Sequence, residues 1–352
     1  MSDRFAVGDL DDRAREILQL VVGLYIRSGE PVGSRTISKA MSRRLSPATI
    51  RNIMADLEEF GFLIQPHTSA GRVPSEMAYR FYVDSLGSST KPVPSAEAYI
   101  NTKLADANTP EELMSTACYL LSDISQNVGI VVSAPIEISV LQHIEFVRLD
   151  QARILVILVS QSGLAQQKVI RVGASYSQEE LIRAGNYLVE QFFGRTLVEI
   201  RGELVRLMQE ERMQYDKMMR NLIESWSKTL DQTDPSVESV YLHGTGNILS
   251  KFESFDVARM QELFRVFEEK SRLVTIINEC VAAESGDGVQ ITMGSELGDP
   301  CLEGFTIITS PYVRRDSATG FMGIIGPTRM EYRKGISVVS YLANACGRMI
   351  NA

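Results

Sequence analysis

The chain is 352 residues long, 44% hydrophobic and 23% charged, and carries a net charge of -8. That length implies two to three domains, each large enough for its own core, and the composition excludes disordered and collagen-like classes. Taken as a total, the acidic charge argues against a nucleic-acid partner, because phosphates call for an excess of Lys and Arg.

Asp11 and Asp12 open the first predicted helix as an N-cap with acid in the first turn, and Ile17, Leu18, Val21, Val22 and Tyr25 follow at three- and four-residue spacing. Ser28-Gly29-Glu30-Pro31 ends it, because Gly suits the left-handed C-terminal position and Pro bars continuation. Ser34 caps a short second helix over 35–41, with Ile37, Ala40 and Met41 inward. Ser46-Pro47 starts a third helix with Ser at the N-cap and Pro at the first helical position; Ile50, Ile53, Met54, Leu57 and Phe60 form its apolar stripe and Gly61 its stop. A strand at Phe62-Leu63-Ile64, a polar turn through His67-Thr68-Ser69-Ala70-Gly71-Arg72 and an exit through Val73-Pro74 complete the order. Helix, short helix, N-capped helix and hairpin are the parts of a winged helix-turn-helix, in which the third helix enters the major groove and the wing touches the backbone or minor groove.

Charge is concentrated on those parts. Between residues 27 and 55, Arg27, Arg35, Lys39, Arg43, Arg44 and Arg51 face a single acid, Glu30. A basic patch therefore sits on an acidic protein. On the third helix the inward stripe leaves Ser46, Ala48, Thr49, Arg51 and Asn52 near the exposed N-terminal end. Arg can grip guanine bidentately, Asn can grip adenine, Thr can meet a thymine methyl or a phosphate, and a helix N-terminus favours phosphate. The expected DNA-binding set is Arg35, Thr36, Arg43, Arg44, Ser69 and Arg72 along the phosphate backbone, Thr49, Arg51 and Asn52 reading bases, and Ser46 and Thr68 beside them.

The Gly, Ser and Pro of the 86–95 segment mark a linker, which puts a domain boundary near residue 90. Helices are predicted over 95–106 and 110–126, then β-rich runs over 141–149, 153–160 and 166–172 as an antiparallel meander. Strands over 289–293, 304–310 and 320–325 and a helix over 334–350 resume the pattern, so the expectation is an α+β domain built from 91–177 and 286–352. The interruption, 178–285, reads as mainly helical, with a long helix over 196–230 whose stripe includes Met208, Tyr215, Met218, Met219, Leu222 and Trp226. A single winged helix contacts few base pairs, and two-fold repressors gain affinity on inverted repeats, so this stripe is expected to form a homodimer interface.

Other chemistries find little support. Cys118, Cys280, Cys301 and Cys346 lie far apart with no Cys-x-x-Cys pair, and His67, His143 and His243 do not cluster, so neither a disulfide framework nor a zinc site is expected. No cofactor is expected either: the glycines at 320, 323 and 326 run through a predicted strand with no helix behind it, and Gly244-Thr245-Gly246-Asn247 lacks a phosphate-binding lysine. No Gly-x-Ser-x-Gly elbow frames a serine nucleophile, so the chain does not read as an enzyme. No apolar run reaches the ~18 to 20 residues of a membrane span. The start Met1-Ser2-Asp3-Arg4-Phe5 lacks an export signal, giving a cytoplasmic expectation.

The runs Pro31-Val32-Gly33-Ser34-Arg35-Thr36, Ser46-Pro47-Ala48-Thr49-Ile50-Arg51-Asn52-Ile53-Met54-Ala55-Asp56-Leu57-Glu58, Thr68-Ser69-Ala70-Gly71-Arg72-Val73-Pro74-Ser75 and Tyr79-Arg80-Phe81-Tyr82-Val83-Asp84 resemble the HrcA family of bacterial heat-inducible transcription repressors. The resemblance continues in Gly244-Thr245-Gly246-Asn247-Ile248-Leu249, Glu253-Ser254-Phe255-Asp256 and Gly326-Pro327-Thr328-Arg329-Met330-Glu331-Tyr332; it departs at Met293-Gly294-Ser295-Glu296-Leu297, where the family's Asn is replaced by Leu. The resemblance implies a winged helix followed by a GAF-like domain with an inserted dimerisation domain, binding to an inverted-repeat operator upstream of chaperone genes, and a chaperonin partner that keeps the repressor competent. A second reading is a regulator whose GAF-like domain senses a small molecule, since the fold alone does not decide between these roles.

Overall fold

The computed structural model describes residues 10–41, 45–67, 70–86, 92–133, 140–161, 165–172, 175–196, 199–200, 203, 240–249, 257–282, 288–297, 299–314 and 317–350. The first unit contains α1 (Asp12–Ser28), α2 (Ser34–Ala40), α3 (Pro47–Glu59), β1 (Leu63–Ile64), β2 (Val73–Pro74) and α4 (Glu76–Asp84). Its helix ends follow the local chemistry: Asp11 accepts from the Ala14 amide at 2.7 Å, and Gly29 closes α1 at φ 73° with its amide on the Tyr25 carbonyl. β1 and β2 pair antiparallel, and a bridge between Val32 and Arg72 extends the hairpin to the α1–α2 connection. The structure adds α4, which the sequence reading passed over.

The second unit is a five-stranded antiparallel sheet with helices on both faces. Its elements are α5 (Pro94–Ala105), α6 (Pro110–Ser125), β3 (Val128–Ser133), β7 (Val240–His243), α8 (Gly246–Leu249), α9 (Val257–Glu268), α10 (Lys270–Ala282), β8 (Gln290–Met293), β9 (Phe305–Arg314), β10 (Ser317–Pro327) and α11 (Tyr332–Ile350). The strand order is β7-β3-β10-β9-β8. Alternate side chains go to opposite layers: Val131, Ile308, Met322 and Ile324 join the core of α6 and α11, whereas Ile130, Val132, Ile307 and Ile325 join that of α9 and α10. The glycines of the 320–326 run serve this sheet, since a Cβ on Gly323 would collide with the Ile308 carbonyl oxygen of β9.

Two expectations are corrected here. The meander, β4 (Leu141–Arg148), β5 (Arg153–Ser160) and β6 (Ala165–Arg171), does not belong to the larger sheet: it forms a three-stranded sheet of its own, backed by α7 (Gln178–Phe192). Ile144, Phe146, Ile154, Val156, Leu158 and Ile170 pack there with Leu181, Ala184 and Leu188 in a separate core. The Leu141 amide donates to the Arg195 carbonyl at 2.9 Å and the Gly194 amide to the Leu141 carbonyl at 3.0 Å, tying the start of β4 to the segment just after α7. The interruption therefore begins before residue 141 and not at 178; conversely β7, α9 and α10, placed by the sequence reading inside 178–285, belong to the larger domain. The reason is physical: alternation reports that one face of a strand is buried, not which partner buries it. The stripe of Met208, Tyr215, Met218, Met219, Leu222 and Trp226 lies outside the described residues. No described helix is long and apolar enough to cross a membrane.

Candidate nucleic-acid interface

α3 is held by its first turn. The Ser46 hydroxyl accepts from the Thr49 amide at 3.1 Å and shares a hydrogen bond with the Thr49 hydroxyl at 2.9 Å, while Pro47 occupies the first turn, where its missing N–H costs nothing. Ile50, Met54 and Leu57 are buried, and Ser46, Ala48, Thr49, Arg51 and Asn52 are all exposed. The recognition face expected from the spacing is thus open to solvent along its N-terminal half. The Ser38 hydroxyl donates to the Leu45 carbonyl at 2.9 Å, linking α2 to the residue that precedes the α3 cap.

On α2, Arg35 and Thr36 are exposed. So is Lys39, four residues beyond Arg35 and therefore on the same helix face; the sequence reading counted its charge but left it out of the site, although the spacing was available to find it. Arg43, Arg44, Thr68 and Ser69 lie outside the described residues.

Arg72 departs from its expected role. Its guanidinium pairs with the Glu58 carboxylate of α3 at 2.7 Å, and its side chain is only 16% exposed. Its backbone exchanges two 2.9 Å hydrogen bonds with Val32. Arg72 thus ties wing, recognition helix and α1–α2 connection together and presents little free cation to a phosphate. The preceding glycine is required by the same approach: a Cβ on Gly71 would lie 2.5 Å from the Val32 carbonyl carbon and oxygen. At the base of the wing the Ser75 hydroxyl donates to the Gly61 carbonyl at 2.7 Å, and Phe62 meets Phe81 edge-on.

Among the described residues no group of three or more His, Cys, Asp or Glu could hold a metal ion. Gly244, with φ 78°, makes a turn beside Ser122, whose hydroxyl accepts from Asn247 at 3.0 Å, so this glycine segment caps β7 against α6.

An open, N-capped helix beside a hairpin, with Arg35, Lys39 and Arg51 exposed, defines a winged-helix DNA-binding transcription regulator. Comparison with known proteins narrows this class. The family model described as "Winged helix-turn-helix transcription repressor, HrcA DNA-binding" matches residues 9–84, and "HrcA protein C terminal domain" matches residues 111–336. The heat-inducible transcription repressor HrcA of Geobacter sulfurreducens is 40% identical over 343 residues, covering 97% of this chain and 98% of the relative. That of Syntrophobacter fumaroxidans is 36% identical over 346 residues, covering 98% of each. A crystal structure of a hypothetical protein, 22% identical over 97% of this chain and 98% of its own, superposes with a TM-score of 0.65 and shares the fold. The chain belongs to the HrcA family of heat-inducible transcription repressors.

Proposed function

We propose that this repressor acts as a cytoplasmic homodimer on an inverted-repeat operator upstream of chaperone genes. Thr49, Arg51 and Asn52 read bases, and Arg35, Thr36, Lys39, Arg43, Arg44, Ser46, Thr68 and Ser69 hold phosphates. The observation that carries this reading is the exposure of the first turns of α3 while Ile50, Met54 and Leu57 are buried. Arg72 supports the wing from within through Glu58. Dimerisation is assigned to the insert and the apolar stripe of its 196–230 segment, which supplies the symmetry an inverted repeat demands.

The chaperonin is the proposed partner that maintains competence. Support comes from topology: β3 and β10 pair through Ser133 and Gly320, so the sheet at the heart of the α+β domain closes only after a long stretch of chain that includes the three-stranded sheet with its own core. Contacts so distant in sequence form slowly and leave apolar surface exposed meanwhile. When unfolded proteins occupy the chaperonin, competent repressor falls and chaperone genes are released. The test is binding of purified protein to an inverted-repeat fragment and to a scrambled one at equal salt, with and without chaperonin. Preference for the repeat, increased by chaperonin, is the expected result; equal binding to both fragments under both conditions overturns the reading.

A further inference from the structure

Three segments that the DNA face leaves unexplained, 79–84, 293–297 and 326–332, meet at one place: the joint between the winged helix and the α+β domain. Arg80 of α4 donates through Nη1 to the Ile291 carbonyl of β8 at 2.7 Å and reaches Glu296 at 3.5 Å, while its Nε and Nη2 donate to Asp84 of its own helix at 3.0 and 2.7 Å. Glu296 is itself held by the Met293 amide at 2.8 Å, and the neighbouring Ser295 hydroxyl donates to Glu76 of α4. On the other side, the Arg329 guanidinium lies over the Tyr25 ring at 5.8 Å and donates to the Ile26 carbonyl at 3.5 Å, so a cation closes the C-terminal end of α1. It lies where a Cβ on Gly29 would project, so that glycine both ends α1 and admits the arginine. Between the two arginines, Tyr79 and Tyr82 pack against Tyr332, whose hydroxyl donates to the Thr328 carbonyl at 2.7 Å. One continuous apolar core runs through both domains.

These contacts come from α1 and α4 and leave the exposed face of α2 and α3 uncovered. The joint therefore sets the direction of the recognition helix without masking it. We propose that Arg80 and Arg329 are positioning residues for operator binding: they fix the angle of each winged helix on its α+β domain, and through it the separation and twist of the two recognition helices. The proposal rests on the dimeric reading above. Two rigidly aligned heads bind two half-sites together with a high effective concentration, and loosening the alignment spends that advantage without altering any contact to DNA.

The experiment compares full-length wild type with Arg80→Ala, Arg329→Gln and the double variant on a single half-site and on inverted repeats whose spacer is lengthened or shortened by one, two or three base pairs. Each base pair turns the second half-site by about 35°, so an aligned dimer prefers one spacer. The expected result is half-site binding within about twofold of wild type, with loss of about tenfold on the best repeat and a flattened spacer preference. Arg80→Lys, which keeps one donor for the Ile291 carbonyl, restores part of the preference. Variants are compared only where their thermal unfolding matches wild type, and in these an unchanged spacer profile, or parallel losses on half-site and repeat, overturns the proposal. A wild-type protein that binds the repeat no better than the half-site removes the dimeric reading and the alignment role with it.

Discussion

Side chains at the DNA face separate by what surrounds them. Arg51 is exposed on the open face of α3, so if it reads a base as proposed, Arg51→Ala should cost about 1–3 kcal/mol on the operator and relax specificity at that base. Arg35→Ala should weaken operator and random DNA alike and reduce the salt slope by about one. Binding measured on both DNAs across a salt series distinguishes them, and equal losses for Arg51 on the two DNAs would remove it from the base-reading set. Gly71→Ala tests the wing: the new Cβ meets the Val32 backbone, so the connection must move, at about 1–3 kcal/mol of stability by denaturant titration. Arg72 shows where a sequence stops speaking at this scale. A Gly-Arg pair in a polar turn reads as an open cation, and only the fold brings Glu58, fourteen positions earlier, within 2.7 Å of it.

Helices were legible where their ends are chemical, and strands were not legible where their partners are remote. Asp11, Gly29 and the Ser46-Pro47 pair mark α1 and α3 with groups that act within one turn. β3, by contrast, has the pattern Val-Gly-Ile-Val-Val-Ser, buried along nearly its whole length, with no alternation to separate it from the apolar end of α6. Its neighbours β7 and β10 lie more than a hundred residues away, so no hairpin signal announces it. For α3 the cap makes a prediction. Ser46→Ala removes the acceptor for the Thr49 amide and should cost about 1 kcal/mol locally, read as faster hydrogen exchange of that amide by about fivefold; Ser46→Asp should preserve protection.

At the scale of the molecule, the winged helix and the α+β domain share a core while the three-stranded insert keeps its own. All four cysteines are free and buried, and burial pushes the thiols of Cys118 and Cys346 up to about 12 and that of Cys280 up to about 11. The thiolate is the reactive form, so at neutral pH these groups should resist alkylation in the native protein and label together as the α+β domain opens on heating, followed by mass spectrometry. Labelling of Cys118 or Cys346 well below the unfolding transition would contradict the packing described. The pairing of β3 with β10 has a further consequence, in time. At about 5–20 residues per second of synthesis, β10 leaves the ribosome roughly 10–40 s after β3. The winged helix is complete long before, but the Ile291 carbonyl, Glu296 and Arg329 that would orient it are made in the last quarter of the chain. Each new molecule thus has its reading head before it has a bearing for it, and the interval between the two is set by the length of chain between α4 and β8, to which the insert adds.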